Sequence, residues 1–178
     1  MASVDSSVRN IGVESKIFYP SHGAGKIIKE KVIEFGGEKK KYFEFSFINK
    51  KLTISTPVQN LDTLGIRPVR LPDYILGKIK VLKSRPISKP AVRNYNELIE
   101  VIRDLDTRGE VDAFIEIIQY CNHEMRTREK EGRLIPVSIV KYVKTSIDHL
   151  VSELAVSSGL GYDEALKQFR EFTGIKIL

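Results

Sequence analysis

The 178-residue sequence contains no tryptophan, one cysteine and three histidines, and these shortages already close off several kinds of protein. A single cysteine, Cys121, permits neither an intramolecular disulfide nor a cysteine-rich zinc site. Long apolar runs are missing as well, since none approaches the roughly 18 residues of a membrane-spanning helix. Residues 1–10 are polar and hold nothing like the apolar stretch of a secretory leader, so a cytoplasmic protein is expected. With 12 glycines, 7 prolines, 42% hydrophobic and 29% charged residues, the composition is that of a folded globular chain rather than a collagenous, disordered or coiled-coil one. A chain of this length buries about 70% of its surface on folding, enough for one or two cores.

Catalytic chemistry is equally thin. An enzyme needs a positioned nucleophile, an acid/base pair or a metal site. His22 sits in a Ser-His-Gly turn, His123 lies two residues after Cys121, and His149 falls within a helical pattern. On a helix, residues two apart point about 200° from one another, so Cys121 and His123 do not share a face for metal ligation. Gly23-Ala24-Gly25-Lys26 has the look of a phosphate loop. However, Pro20 stands where the first glycine of such a loop is needed and Ile27 where its Ser or Thr is needed. A glycine-permitted reversal between two strands accounts for it. Glu97, Glu100, Asp104 and Glu116 are spread as an exposed face would be, with no catalytic pair among them. No enzyme, metal or cofactor is expected.

What the chain does have is charge, unevenly placed. The net charge is +6. Residues 1–72 hold 12 Lys and Arg against 7 Asp and Glu, and residues 73–93 hold 6 against 1, whereas residues 94–178 are net −4. A basic first half and a basic junction attached to an acidic second half point to an anionic partner, most simply nucleic acid.

The hydrophobic period changes along the chain in step with the charge. Short aromatic and β-branched runs occur at Lys16–Pro20, Ile27–Phe35, Tyr42–Phe47 and Leu52–Thr56, with a last piece around Ile66–Val69. Phe43, Phe45 and Phe47 alternate with Tyr42, Glu44 and Ser46, and Gly36-Gly37 supplies a tight hairpin turn. These runs predict a small, strongly bent antiparallel sheet or an SH3/Tudor-sized barrel over residues 16–70, preceded by a flexible segment, residues 1–15. After Leu71 the period becomes helical. Leu98, Val101, Ile102 and Leu105 fall at i, i+3, i+4 and i+7. Further helices are expected from Val111 to about Arg128, from Pro136 through Leu154, and from Asp163, so residues 94–178 read as an all-α bundle. The architecture is α+β in two domains. Residues 71–93 form a Pro-containing junction with room for one short helix, Asp73–Lys83.

The junction carries Lys78, Lys80, Lys83, Arg85, Lys89 and Arg93, able to line a phosphate backbone without reading sequence. Lys141 and Lys144 on the third helix complete the candidate DNA-contacting set.

Tyr19-Pro20-Ser21-His22-Gly23, Leu52-Thr53-Ile54-Ser55-Thr56-Pro57-Val58-Gln59-Asn60 and Gly65-Ile66-Arg67 resemble three spaced motifs of the CarD-like family. That family shares its N-terminal module with transcription-repair coupling factor. The helical half carries weaker likenesses at Arg93-Asn94-Tyr95 and His149–Ala155. The resemblance implies a Tudor-like domain that binds the β subunit of bacterial RNA polymerase. It also implies a helical domain touching double-stranded or forked promoter DNA, so that the protein modulates open-complex stability beside the nucleoid without catalysis. Ala91 stands where the family has a wedge tryptophan, Asn94 where it has an arginine, and Ile33 and Ser55 where relatives place polymerase-contacting arginines. Lys31, Thr53 and Thr56, on the same two strands, are taken with Ile33 and Ser55 as the polymerase-binding set. Two other readings are a protein-docking module whose acidic helices never touch DNA, and a stand-alone nucleic-acid-binding protein. The sequence leaves the oligomeric state open.

Overall fold

In the computed structural model, which describes residues 11–84 and 89–175, an antiparallel sheet is followed by a helical region. The strands are β1 (Lys16–Tyr19), β2 (Gly23–Phe35), β3 (Glu38–Phe47), β4 (Lys50–Pro57) and β5 (Arg67–Pro68), in the spatial order β4-β3-β2-β1-β5. Among the described residues β4 and β5 are its two edges, so the sheet is open. Residues 1–10 of the expected N-terminal segment, and Arg85 of the junction, lie outside the described residues.

Local chemistry explains the strand order. Gly36 and Gly37 both have positive φ, 62° and 82°, which a two-residue hairpin turn between twisted strands requires. The pairing Phe35↔Glu38 through Lys29↔Glu44 follows from it. A bulge between Ile27 and Lys29 lets β2 bend and continue beside β1. Phe43, Phe45 and Phe47 all turn inward, as their alternation predicts, and pack with Ile17, Tyr19, Ile27, Leu61 and Ile66. Each such aromatic contributes on the order of 2 kcal/mol by burial.

The helices are α1 (Pro72–Ile79), α2 (Val81–Ser84), α3 (Tyr95–Arg108), α4 (Val111–Lys130), α5 (Val137–Ser158) and α6 (Tyr162–Thr173). The junction thus starts with two short helices instead of one. Pro72 opens the first, where a missing N–H costs nothing, and Ile75 and Ile79 sink fully into the helical core. Asn94 caps α3 by accepting the Glu97 N–H at 3.1 Å, and Gly109, at φ 64°, ends it.

Two features tie the halves together. On β1, Ile17 and Tyr19 face the sheet's own core, so strand alternation sends Phe18 the other way, into the helical cluster with Phe114 and Leu150. Helix α5 is buried on almost every side from Ser146 to Val156, because α4 and α6 cover one face and β2 the other.

Candidate functional site

Three surfaces bring together the residues that the sequence singles out. The first is the seam between sheet and helices. Along α5, His149, Ser152, Glu153 and Val156 recur at i, i+3, i+4 and i+7, and all four are buried. Arg67, at the start of β5, reaches the fully buried Glu153 carboxylate in a two-pronged bridge, Nη1 to Oε1 at 2.6 Å and Nη2 to Oε2 at 3.1 Å. Its Nη2 also donates to the Gly109 carbonyl at 2.8 Å, and its guanidinium lies 4.7 Å above the Phe18 ring. The Arg70 N–H donates to Glu153 as well, at 2.8 Å, while the Arg70 side chain grips Glu110. A buried carboxylate is tolerated only when paired and hydrogen-bonded in this way.

The Tyr19–Gly25 turn belongs to the same seam. The Ser152 hydroxyl accepts the Ala24 N–H at 3.1 Å and donates to the His149 carbonyl at 2.9 Å. A Cβ on Gly23 would come within 2.9 Å of that hydroxyl, and one on Gly25 within 2.1 Å of the Ser46 carbonyl. Glycine at both positions therefore serves close approach of backbone and side chain. Pro20 abuts Gly109, His22 stacks edge-on against Tyr19 at 4.8 Å, and His149 lies against Phe18 and Phe114, 5.5 and 4.8 Å between ring centres. Burial, aided by Lys50 and His22, pushes the His149 pKa down to about 4.

The second surface is the outer face of the sheet. The register sets Lys29, Glu44 and Ser55 in one row across β2, β3 and β4, with Ser46 and Thr53 in another. Lys31, Ile33, Thr53 and Ser55 therefore share this face. Ile33 is 43% exposed, Thr53 and Ser55 are exposed, and Lys31 pairs with Glu44. Thr56, one residue along β4, has the opposite parity and is buried opposite Phe43. Edge strand β4 adds unpaired backbone groups beside this face.

The third surface is basic. Of the junction lysines, Lys78 is held by Asp112 at 2.8 Å and by the Tyr74 ring, and Lys80 lies over the Phe172 ring at 5.4 Å, near the exposed Lys83. Lys89 and Arg93 instead line a cleft of about 390 Å³, formed where the junction enters α3 and faces the end of α4. Arg128, Arg133, Tyr95, Tyr120, His123 and the acidic Glu124 also line it. Arg128 is bonded to Glu124 and covers the Tyr95 ring at 5.0 Å, Arg133 pairs with Glu131, and the Tyr95 hydroxyl bonds Ser138 at 2.7 Å. Lys141 and Lys144 are exposed on α5 after Ser138.

Sequence reasoning missed Arg128 and Arg133, which lie outside the basic junction, and the Arg67–Glu153 bridge. The signal for the bridge was available: a second stripe on α5, polar and small, opposite Ile147, Leu150, Val151 and Leu154. Cys121 is a buried free thiol whose pKa burial raises to about 12. Among the described residues no three His, Cys, Asp or Glu side chains converge as a metal site would need, and no helix is long and apolar enough to cross a membrane.

The chain is 25% identical over 159 residues to "Putative transcription factor YdeB" of Bacillus subtilis (strain 168), covering 88% of this chain and 97% of that protein. Residues 12–70 match the family model of the CarD-like/TRCF RID domain, an RNA polymerase-interacting domain. The match begins just before β1 and ends at Arg70, so it takes in the Tyr19–Gly25 turn, the outer sheet face and Arg67. Over residues 12–70, about a third of its length, the chain is thus similar to the CarD-like/TRCF RID domain.

Proposed function

We propose that the chain is a bacterial transcription regulator that docks on the β subunit of RNA polymerase through the outer face of β2–β4. From there it lays the basic cleft on promoter DNA upstream of the bubble and changes how long the open complex lasts. The polymerase-interacting domain over the sheet is the observation that carries this reading. The Bacillus subtilis relative, whose name reads "Putative transcription factor YdeB", supports a transcription-related role, with 97% of its length covered. The seam adds a physical argument. Arg67, Glu153 and Phe18 join the two halves through buried contacts, so a sheet fixed on polymerase also fixes where Lys89, Arg93, Arg128 and Arg133 point.

Cations that meet phosphates fix position without reading bases, so little sequence preference is expected. Lys89 and Arg93, which form no ion pair among the described residues, give a salt slope of about −1.8, an affinity loss of roughly 12-fold between 50 and 200 mM salt. The test is the half-life of a polymerase–promoter open complex with and without the full-length chain. A changed half-life, abolished by Lys89→Ala with Arg93→Ala, is the expected result. An unchanged half-life, with no retention of polymerase on the immobilised chain, removes the proposal.

A further inference from the structure

Where the sheet core and the helical core part, a second cleft of about 370 Å³ lies between strands β1–β3 and the last turn of α5. Phe47 packs with the sheet core, its neighbour Ile48 packs on the helical one, and both line the cleft. Two local features build it. The bulge between Ile27 and Lys29 takes Ile28 out of the strand register and leaves it 45% exposed, lining the cleft. On the helical side Gly159, at φ 71°, ends α5, and the Leu160 N–H donates to the Ala155 carbonyl at 3.0 Å, which holds Leu160 beside Val156 in the lining.

The charge on this cleft is all of one sign. Lys16 and Lys26 line it, both exposed, and among the described residues no acidic side chain does. The register sets Lys16 directly opposite Lys26 across β1 and β2, so both side chains leave the same face of the sheet. Like charges in that position repel, and neither lysine has an acidic partner among the described residues. Lys16 Nζ donates to the Ser157 carbonyl at 3.3 Å, a neutral acceptor that leaves its charge in place. An anion between the two ammonium groups would turn the repulsion into attraction. Apolar walls beside two uncompensated cations match a ligand with an apolar body and one acidic group. The volume is at the small end of the roughly 300–1,000 Å³ of ligand clefts, which favour apolar linings with a few polar groups and the seams between domains. Nucleic acid offers phosphates without an apolar body to set against Ile28, Ile48, Val156 and Leu160.

We propose that this cleft binds a small apolar carboxylate, its chain against Ile28, Ile48, Val156 and Leu160 and its acid group between Lys16 and Lys26. The site is separate from the polymerase and DNA surfaces and does not depend on either. The test adds octanoate to the full-length, 15N-labelled chain and follows the amide signals of Ile28, Ile48, Val156 and Leu160. In parallel, 1-octanol supplies the apolar chain alone and acetate the charge alone. Octanoate is expected to shift these signals saturably and to bind about tenfold more tightly than 1-octanol, with acetate without effect. Lys16→Ala with Lys26→Ala changes only exposed side chains, so it should fold as the wild type does. It should lower octanoate to the affinity of 1-octanol and leave 1-octanol unchanged. Ile28→Asp, which puts a carboxylate of the chain's own at the cleft, should abolish the octanoate shifts. No saturable shift with octanoate, or shifts only at amides away from the cleft, would overturn the site. Equal affinities for octanoate and 1-octanol in the wild type, or octanoate binding unchanged in the double lysine variant, would overturn the assignment of a carboxylate ligand.

Discussion

In the seam, Arg67 spends its donors on Glu153 and the Gly109 carbonyl, with Phe18 beneath it and little water beside it. In the cleft, Arg93 and Lys89 stand in solvent without an acidic partner among the described residues, next to a tyrosine already covered by Arg128. The side-chain chemistry is the same, and burial decides its use. A guanidinium enclosed with a carboxylate fixes geometry, whereas one left on a concave surface keeps its charge for a partner. Changes in the seam should therefore alter stability and changes in the cleft should alter binding, and crossing those effects would break the comparison.

The largest effect is expected from Glu153→Ala, which leaves the Arg67 guanidinium buried without its carboxylate. A loss of about 3–5 kcal/mol in urea unfolding should result. Next comes His149. Its pKa lies near 4 in the fold against an ordinary 6.5, so between those values the unfolded chain holds a proton that the folded chain refuses. Stability contributed by neutral His149 is complete above about pH 6.5 and falls by about 3 kcal/mol as pH drops through 4. Urea titrations from pH 7 to 4 should show that slope, and His149→Leu should flatten it.

Gly109→Ala is a smaller break in the same seam. The position has φ 64°, and an added Cβ would sit 2.7 Å from the Pro20 ring, so a loss of about 1–2 kcal/mol in thermal unfolding is expected. In the cleft, Lys89→Ala with Arg93→Ala should leave the melt unchanged and make the salt slope of DNA binding shallower by about 1.8. The smallest effect belongs to Lys78→Ala. That ammonium is already engaged by Asp112 and Tyr74, so DNA affinity should be left almost unchanged in the same titration.

Much of the fold is legible in the sequence because single faces dominate. The Phe43-Phe45-Phe47 alternation, the Gly36-Gly37 turn and the Leu98–Leu105 stripe each bury one face against one layer, and period alone reads them. Helix α5 is harder because it is packed on two sides. Its apolar stripe is plain, but His149, Ser152 and Glu153 look like an exposed polar face until β2 closes over them. The candidate sites divide in the same way. Lys31, Ile33, Thr53 and Ser55 come together because strand parity and register carry them to one face, and the same parity turns Thr56 inward. Charge counting along the chain finds Lys89 and Arg93. It does not find Arg128 and Arg133, which tertiary folding brings from an acidic region, nor does it show that Asp112 neutralises Lys78.

The central claim is that one rigid chain joins polymerase to DNA through two separate surfaces. The most direct measurement is a crosslinking map of the assembled polymerase–promoter complex, with a photo-reactive side chain at Ser55 or at Arg93 of the full-length protein. The account predicts that position 55 crosslinks to the β subunit and position 93 to DNA upstream of the bubble. Crosslinks from position 93 to protein alone, or from position 55 to DNA, would contradict it.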